Sequence, residues 1–132
     1  MPTILHHQNL IERNRKTLGY LSTVSLMDSA VNDWIITVSY YIALHLVEIA
    51  ANGNDKETNR LLPHADRLEF LEAKCVKAKQ FFHNLYVLSE STRYGISFDD
   101  AVLVHVKEIL TRNDFSQMVS RWLEHIESIV TS

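Results

Sequence analysis

Tyr41, His45 and Glu48 fall at i, i+4 and i+7 within the most apolar stretch of the chain. That spacing sets a phenol, an imidazole and a carboxylate on one stripe of a helix. His64 and Arg67 follow at i and i+3, and Tyr86, Ser89 or Glu90, and Arg93 share a further face, with Tyr94 next in line. A polar group buried without a partner costs about 1–3 kcal/mol, so these side chains are expected to meet. Glu48 would pair with Arg67 or Arg93, and His45 would take a hydroxyl partner. Two kinds of chemistry follow from such a meeting. One is a satisfied core network that fixes helix register. The other is a histidine acting as general base beside an arginine that stabilises a phosphorane-like transition state.

Other site chemistries are excluded by the residues at their required offsets. No Asp or Glu has His three positions later, which removes the carboxylate-bridged di-iron pattern of helical bundles. There is no His-Glu-x-x-His, no pair of cysteines, no phosphate-cradling glycine loop and no Gly-x-Ser-x-Gly. The seven histidines, at 6, 7, 45, 64, 83, 105 and 125, lack metal-ligand spacing apart from the adjacent pair His6 and His7. Neither a metal nor any other cofactor is therefore expected.

Arg13, Arg15 and Lys16 form one short basic grouping and Lys74, Lys77 and Lys79 another. Acidic residues stand near both, so each is read first as a solvated face, with contact to RNA phosphates through Arg13, Arg15 and Lys16 as the alternative. Cys75 lies between Lys74 and Lys77 and is read as a partly buried structural thiol.

These residues need helices to position them. With three glycines and two prolines in 132 residues, and apolar residues at helical spacing, the chain is expected to be an all-α, up-and-down bundle of about five to six helices around a long buried second helix. The first helix spans about His6 to Ser22, with Leu10, Ile11, Leu18 and Leu21 inward. Asp28 is placed to cap the second, from Ser29 to Asn52, and Gly53 to close it. Nearly every side of that helix is apolar, so its neighbours must cover it all round. Polar residues 54 to 62 read as a loop, and Pro63 suits the start of a new helix. A short helix to about Ala73 and another from about Val76 to Tyr94 follow, ended by Gly95. Asp99 caps a fifth, about Asp100 to Thr111. Asn113 or Asp114 caps the last, whose stripe is Phe115, Met118, Val119, Trp122, Ile126, Ile129 and Val130. Met27 and Met118 read as core fillers.

The bulk composition bounds what such a bundle does. At 46% hydrophobic residues the chain has core enough for one domain over residues 1–132 without disulfides or metals. A formal charge of −3 argues against a surface devoted to nucleic acid or anionic lipid. Residues 34 to 51 are long enough to cross a membrane, but Glu48 within them would cost roughly 2.5–3.5 kcal/mol to insert and no Lys or Arg anchors the flanks. A buried core helix is expected instead. One cysteine and a start without signal-peptide features point to the cytoplasm.

Across about residues 5 to 130 the chain resembles the HEPN-like superfamily of small prokaryotic helical bundles. The resemblance lies in Asp33-Trp34 through Tyr40-Tyr41 to His45, in Pro63-His64-Ala-Asp-Arg67, and in Tyr86-Val-Leu-Ser89-Glu-Ser-Thr-Arg93-Tyr94. It implies an up-and-down bundle, often dimeric, tied to RNA cleavage, nucleotide binding or toxin and antitoxin pairs that include a small nucleotidyltransferase. Ribonuclease members carry Arg followed after four to six residues by His. Here Arg60 with His64 and Arg121 with His125 come nearest, each with only three residues between. No residue inherits a catalytic role from that motif. The expectation is thus a non-catalytic bundle that works as a homodimer or with a protein partner, through exposed apolar residues of its terminal helices. The alternatives are a metal-independent ribonuclease or nucleotide-binding protein built on Tyr41, His45, Glu48, His64, Arg67, Tyr86, Arg93 and Tyr94, and an RNA-binding module.

Overall fold

A computed structural model describes residues 4–25, 31–52, 62–94, 108–110 and 112–132. Every element among the described residues is helical. The helices are α1 (Ile4–Ser25), α2 (Asn32–Asn52), α3 (His64–Lys74), α4 (Val76–Tyr94) and α5 (Phe115–Val130), with a further helical turn at 108–110. The all-α bundle expected from the sequence is present. The caps proposed at Asp28, Gly53, Gly95 and Asp99, Met27, the loop from 54 to 61 and most of the helix from 100 to 111 lie outside the described residues.

α2 packs against each of α1, α3, α4 and α5. Its sequence is rich in β-branched residues, among them Ile35, Ile36, Thr37, Val38, Ile42, Val47 and Ile49, which are middling helix formers because χ1 is restricted. The helix is therefore held by what surrounds it rather than by propensity. Ile36, Ile42, Ala43 and Val47 are fully buried. α2 is also the helix, among those described, long and apolar enough to cross a membrane. Its place between four helices, with Glu48 in an internal ion pair, is that of a core helix. Coverage is not complete: Asp33 and Trp34 are exposed at its start, and Val38, Tyr41, Leu44, His45 and the last turn from Ile49 to Asn52 are partly exposed.

The helix directions follow from the pairs that meet. His7 meets His45 while Ser25 meets Asn32, so α1 runs antiparallel to α2. Phe81 stacks on Trp122 while Cys75 meets His125, so α4 runs antiparallel to α5. Tyr40 and Tyr41 pack along α4 on Phe82, Tyr86 and Arg93. Phe82, Leu85 and Leu88 of α4, Leu71 of α3, and Phe115, Val119, Leu123 and Ile126 of α5 complete the core around α2.

α1 begins and ends farther out than its apolar pattern implies, because His7 is buried and Ser25 hydrogen-bonds Asn32, which adds an inward contact at each end. A single extended residue, Cys75 (φ −165, ψ 116), separates α3 from α4. Its N–H donates to the Leu71 carbonyl at 2.7 Å and its carbonyl accepts from the Lys79 N–H at 3.1 Å, so it closes one helix and opens the next. Pro63 sits at the cap position of α3, one residue before the first turn. Asp114 occupies the cap position of α5 but makes no side-chain cap, since its carboxylate is held by Arg112 through two hydrogen bonds of 2.8 and 3.0 Å.

Candidate functional site

The polar residues singled out by spacing lie around α2, but they form four separate sets. The first is sealed. Glu48 is 0% and Arg67 8% exposed, and Arg67 Nε donates to Glu48 Oε1 at 2.7 Å. The same oxygen accepts the Leu62 N–H at 3.1 Å, and Oε2 accepts from Asn52 Nδ2 at 3.3 Å. Both oxygens of the carboxylate are thus occupied, which is what makes a buried charge pair tolerable. Of the two arginines proposed for Glu48, the structure uses Arg67.

The second set replaces the hydroxyl expected for His45. Its Nδ1 lies 2.7 Å from Nδ1 of His7, which is only 3% exposed. For two imidazoles to share that distance one must donate and the other accept, so the pair holds a single proton between its two Nδ1 atoms. Burial pushes His45 down to about 4, and the neighbouring His7, His6 and Arg67 charges push the same way. His7 is also lowered, chiefly by burial, with the Glu48 carboxylate working against it.

The third set centres on His64. His64 stacks on Tyr86 with ring centroids 3.6 Å apart and on Phe82 at 5.7 Å. Its Nε2 lies 3.3 Å from Nδ1 of His83. Burial lowers His64 to about 4, helped by His83 and by Arg67. Its Nδ1 is buried without a hydrogen-bond partner among the described residues. Tyr40, next to this stack, is raised to about 12 by burial, with Arg67 opposing the shift. The buried Arg67 guanidinium therefore opposes protonation of both His45 and His64, which are neutral near pH 7.

Arg93 belongs to none of these. Nη1 donates to the Tyr41 hydroxyl at 2.5 Å, Nη2 to Glu90 at 2.9 Å, and the guanidinium lies over the Tyr41 ring. With Asp33, Trp34, Thr37 and Thr92 it lines a surface pocket of about 270 Å³. Ser89 is fully buried and its hydroxyl has no partner among the described residues. The Tyr94 side chain lies outside them.

The basic grouping on α1 is also divided. Arg15 is tied to Glu127 of α5, while Arg13 and Lys16 are exposed. In the second grouping Lys79 pairs with Glu72 at 3.1 Å, and Lys74 and Lys77 lie over the rings of Phe70 and Phe81. No group of three or more His, Cys, Asp or Glu suited to a metal occurs among the described residues.

Several polar contacts were not foreseen from spacing. Asn32 is 3% exposed, accepts from the Ser25 hydroxyl at 2.6 Å and donates to the Leu110 carbonyl at 2.8 Å, joining the end of α1 to the turn at 108–110. Cys75 Sγ lies 3.7 Å from His125 Nε2. His7 had a signal in the sequence, since it stands four residues before Ile11 on the inward face of α1. His125 stands at the edge of the α5 stripe, three residues after Trp122 and four before Ile129, whereas His83 lies off the apolar stripe of α4. The chain matches no protein-family model, no curated protein and no solved structure.

Proposed function

We propose that this chain is a non-catalytic, HEPN-like interaction module that works by associating with a second copy or with a protein partner. One observation carries the reading. The groups suited to acid–base and electrostatic catalysis are spent on one another inside the bundle, while large apolar side chains stand in solvent. Glu48 and Arg67 are sealed, His7 is buried, and the Nδ1 of the part-exposed His45 is taken up by His7. Leu5, Tyr20 and Val24 on α1, Trp34 at the start of α2 and Val76 at the start of α4 are 43–79% exposed. Tyr20 and Val24, one turn apart, share one patch of surface on α1, and contiguous exposed apolar surface is what an association surface uses.

Sedimentation equilibrium over a wide concentration range tests self-association directly. Mass that rises with concentration supports it, and a monomer at every concentration leaves only a different partner.

A second reading, nucleotide binding or metal-independent RNA cleavage, draws on Trp34 and Arg93, which share one surface pocket. An indole and a guanidinium suit a base and a phosphate. Titrating a nucleoside triphosphate while following Trp34 fluorescence tests it, and Arg93→Ala should abolish any response. RNA contact through Arg13 and Lys16 would show as affinity that falls steeply with salt.

A further inference from the structure

α1 and α5 both pack on α2 but hardly touch each other, and the ion pair of Arg15 with Glu127 ties them together. Between them, over α2, lies a groove of about 490 Å³, the size of a small-molecule site. Four serines border it, Ser22 from α1, Ser39 from α2, and Ser116 and Ser120 from α5. Ser39 is fully buried, and its hydroxyl has no hydrogen-bond partner among the described residues. Two residues earlier on the same helix, Thr37 turns its hydroxyl back to the Asp33 carbonyl at 3.0 Å, but Ser39 makes no such bond. A hydroxyl left in that state costs stability, and a partner entering the groove would remove the cost. Leu18, Ile35 and Val119 give the same groove an apolar side.

The α5 wall also carries two exposed charges that the fold leaves largely unspent. Glu124 takes only the Ser120 hydroxyl, at 3.4 Å, and pairs with no cation among the described residues. Arg121 comes no nearer than 3.7 Å to Asp114, whose carboxylate is already held by Arg112. Because Asp114 is held in that way, the first turn of α5 has no side-chain cap, and Ser116 and Gln117 of that turn border the groove. Backbone N–H groups at a helix start favour an anion.

We infer that this groove binds a small zwitterion, a free α-amino acid with a short apolar side chain. The carboxylate lies toward Arg121 and the first turn of α5, the ammonium toward Glu124 and the Ser39 hydroxyl, and the side chain on Leu18, Ile35 and Val119. Arg121 and Glu124 stand three residues apart on one helix, about 5–6 Å between Cβ atoms, close enough to serve the two ends of one small molecule. One guanidinium set against one carboxylate is balanced for a ligand of no net charge and poorly matched to a phosphate dianion. The site is independent of the association proposed above.

Titration of the folded chain with L-alanine and with L-valine, followed by heteronuclear NMR of the backbone amides, tests the site. Saturable shifts should appear around Ser22, Ser39 and Ser120. Arg121→Gln and Glu124→Gln should each weaken binding about fivefold to tenfold. Ser39→Ala should weaken it about fivefold and leave the chain no less stable, since the variant loses only an unpartnered hydroxyl. Isovalerate, which lacks the ammonium of valine, and isobutylamine, which lacks its carboxylate, should each bind at least about tenfold more weakly than valine. Failure of both amino acids to give saturable shifts overturns the site, as do shifts that persist undiminished in Ser39→Ala and Arg121→Gln. Binding of either single-charge analogue as tightly as valine overturns the assignment to a zwitterion.

Discussion

Arg67 Nε lies 2.7 Å from Glu48 Oε1, with the two side chains 9% and 0% exposed, so the charge pair is cut off from water in the middle of the bundle. It links α3 to α2 across the segment that precedes Pro63, and the Leu62 N–H reinforces the link by donating to the same oxygen. Removing one partner leaves the other buried and uncompensated. Arg67→Met should therefore cost about 3–5 kcal/mol in urea unfolding. Adding Glu48→Leu to it should recover most of that loss, because an apolar pair of similar volume carries no desolvation cost. A double variant no more stable than the single one would show that the pair does more than pay for its own burial.

Acid should destabilise the bundle through its histidines. His45 and His64 are each lowered to about 4 in the fold from an ordinary value of 6.5, so the unfolded chain takes up protons first as pH falls. Their contribution is complete above about pH 6.5, is lost between 6.5 and 4, and changes no further below that. After allowance for solvent screening the loss is on the order of 2–4 kcal/mol for the two together. Urea midpoints measured from pH 7.5 to 4 check it, and His45→Gln with His64→Gln should flatten the profile.

Arg93 and Tyr41 hold the rim rather than the centre. Tyr41→Phe deletes one charge-assisted hydrogen bond from a half-buried site and should lower stability by about 1–2 kcal/mol. Arg93→Ala should cost somewhat more, since the Glu90 contact and the stacking on Tyr41 go with it. Both variants should melt cooperatively, which thermal unfolding by circular dichroism will show.

Gly19 lies in the middle of α1, where glycine is a poor helix former, and open space surrounds its Cβ direction. Gly19→Ala should stabilise the folded chain by about 0.5–1 kcal/mol, read from the shift in thermal midpoint at a concentration low enough to keep the chain monomeric.

Helix positions were legible where apolar periodicity was clean. α4 runs from Val76 to Tyr94 and α2 ends at Asn52, both where the sequence places them. On α5 the stripe from Phe115 to Val130 is buried or half-buried along its length, with Leu123 an added member. The pairing of polar groups was only partly legible. Spacing along one helix tells which residues share a face, but which arginine reaches Glu48 depends on how far α3 sits along α2, and no residue pattern encodes that offset. His45 was matched to a hydroxyl for the same reason. Its partner His7 comes from the inward face of α1, four residues before Ile11, but spacing within α1 does not tell which residue of α2 it meets.

The position of α2 has a consequence for how the molecule opens. Because α1, α3, α4 and α5 all rest on it, its buried middle, around Ile42 and Val47, has no way to reach solvent short of losing the whole bundle. Among the described helices α1 packs mainly on α2, with Arg15 also tied to Glu127 of α5. Amide hydrogens in the middle of α2 should therefore exchange with deuterium only through global unfolding, while those of α1 exchange through a cheaper partial opening in which that helix peels away.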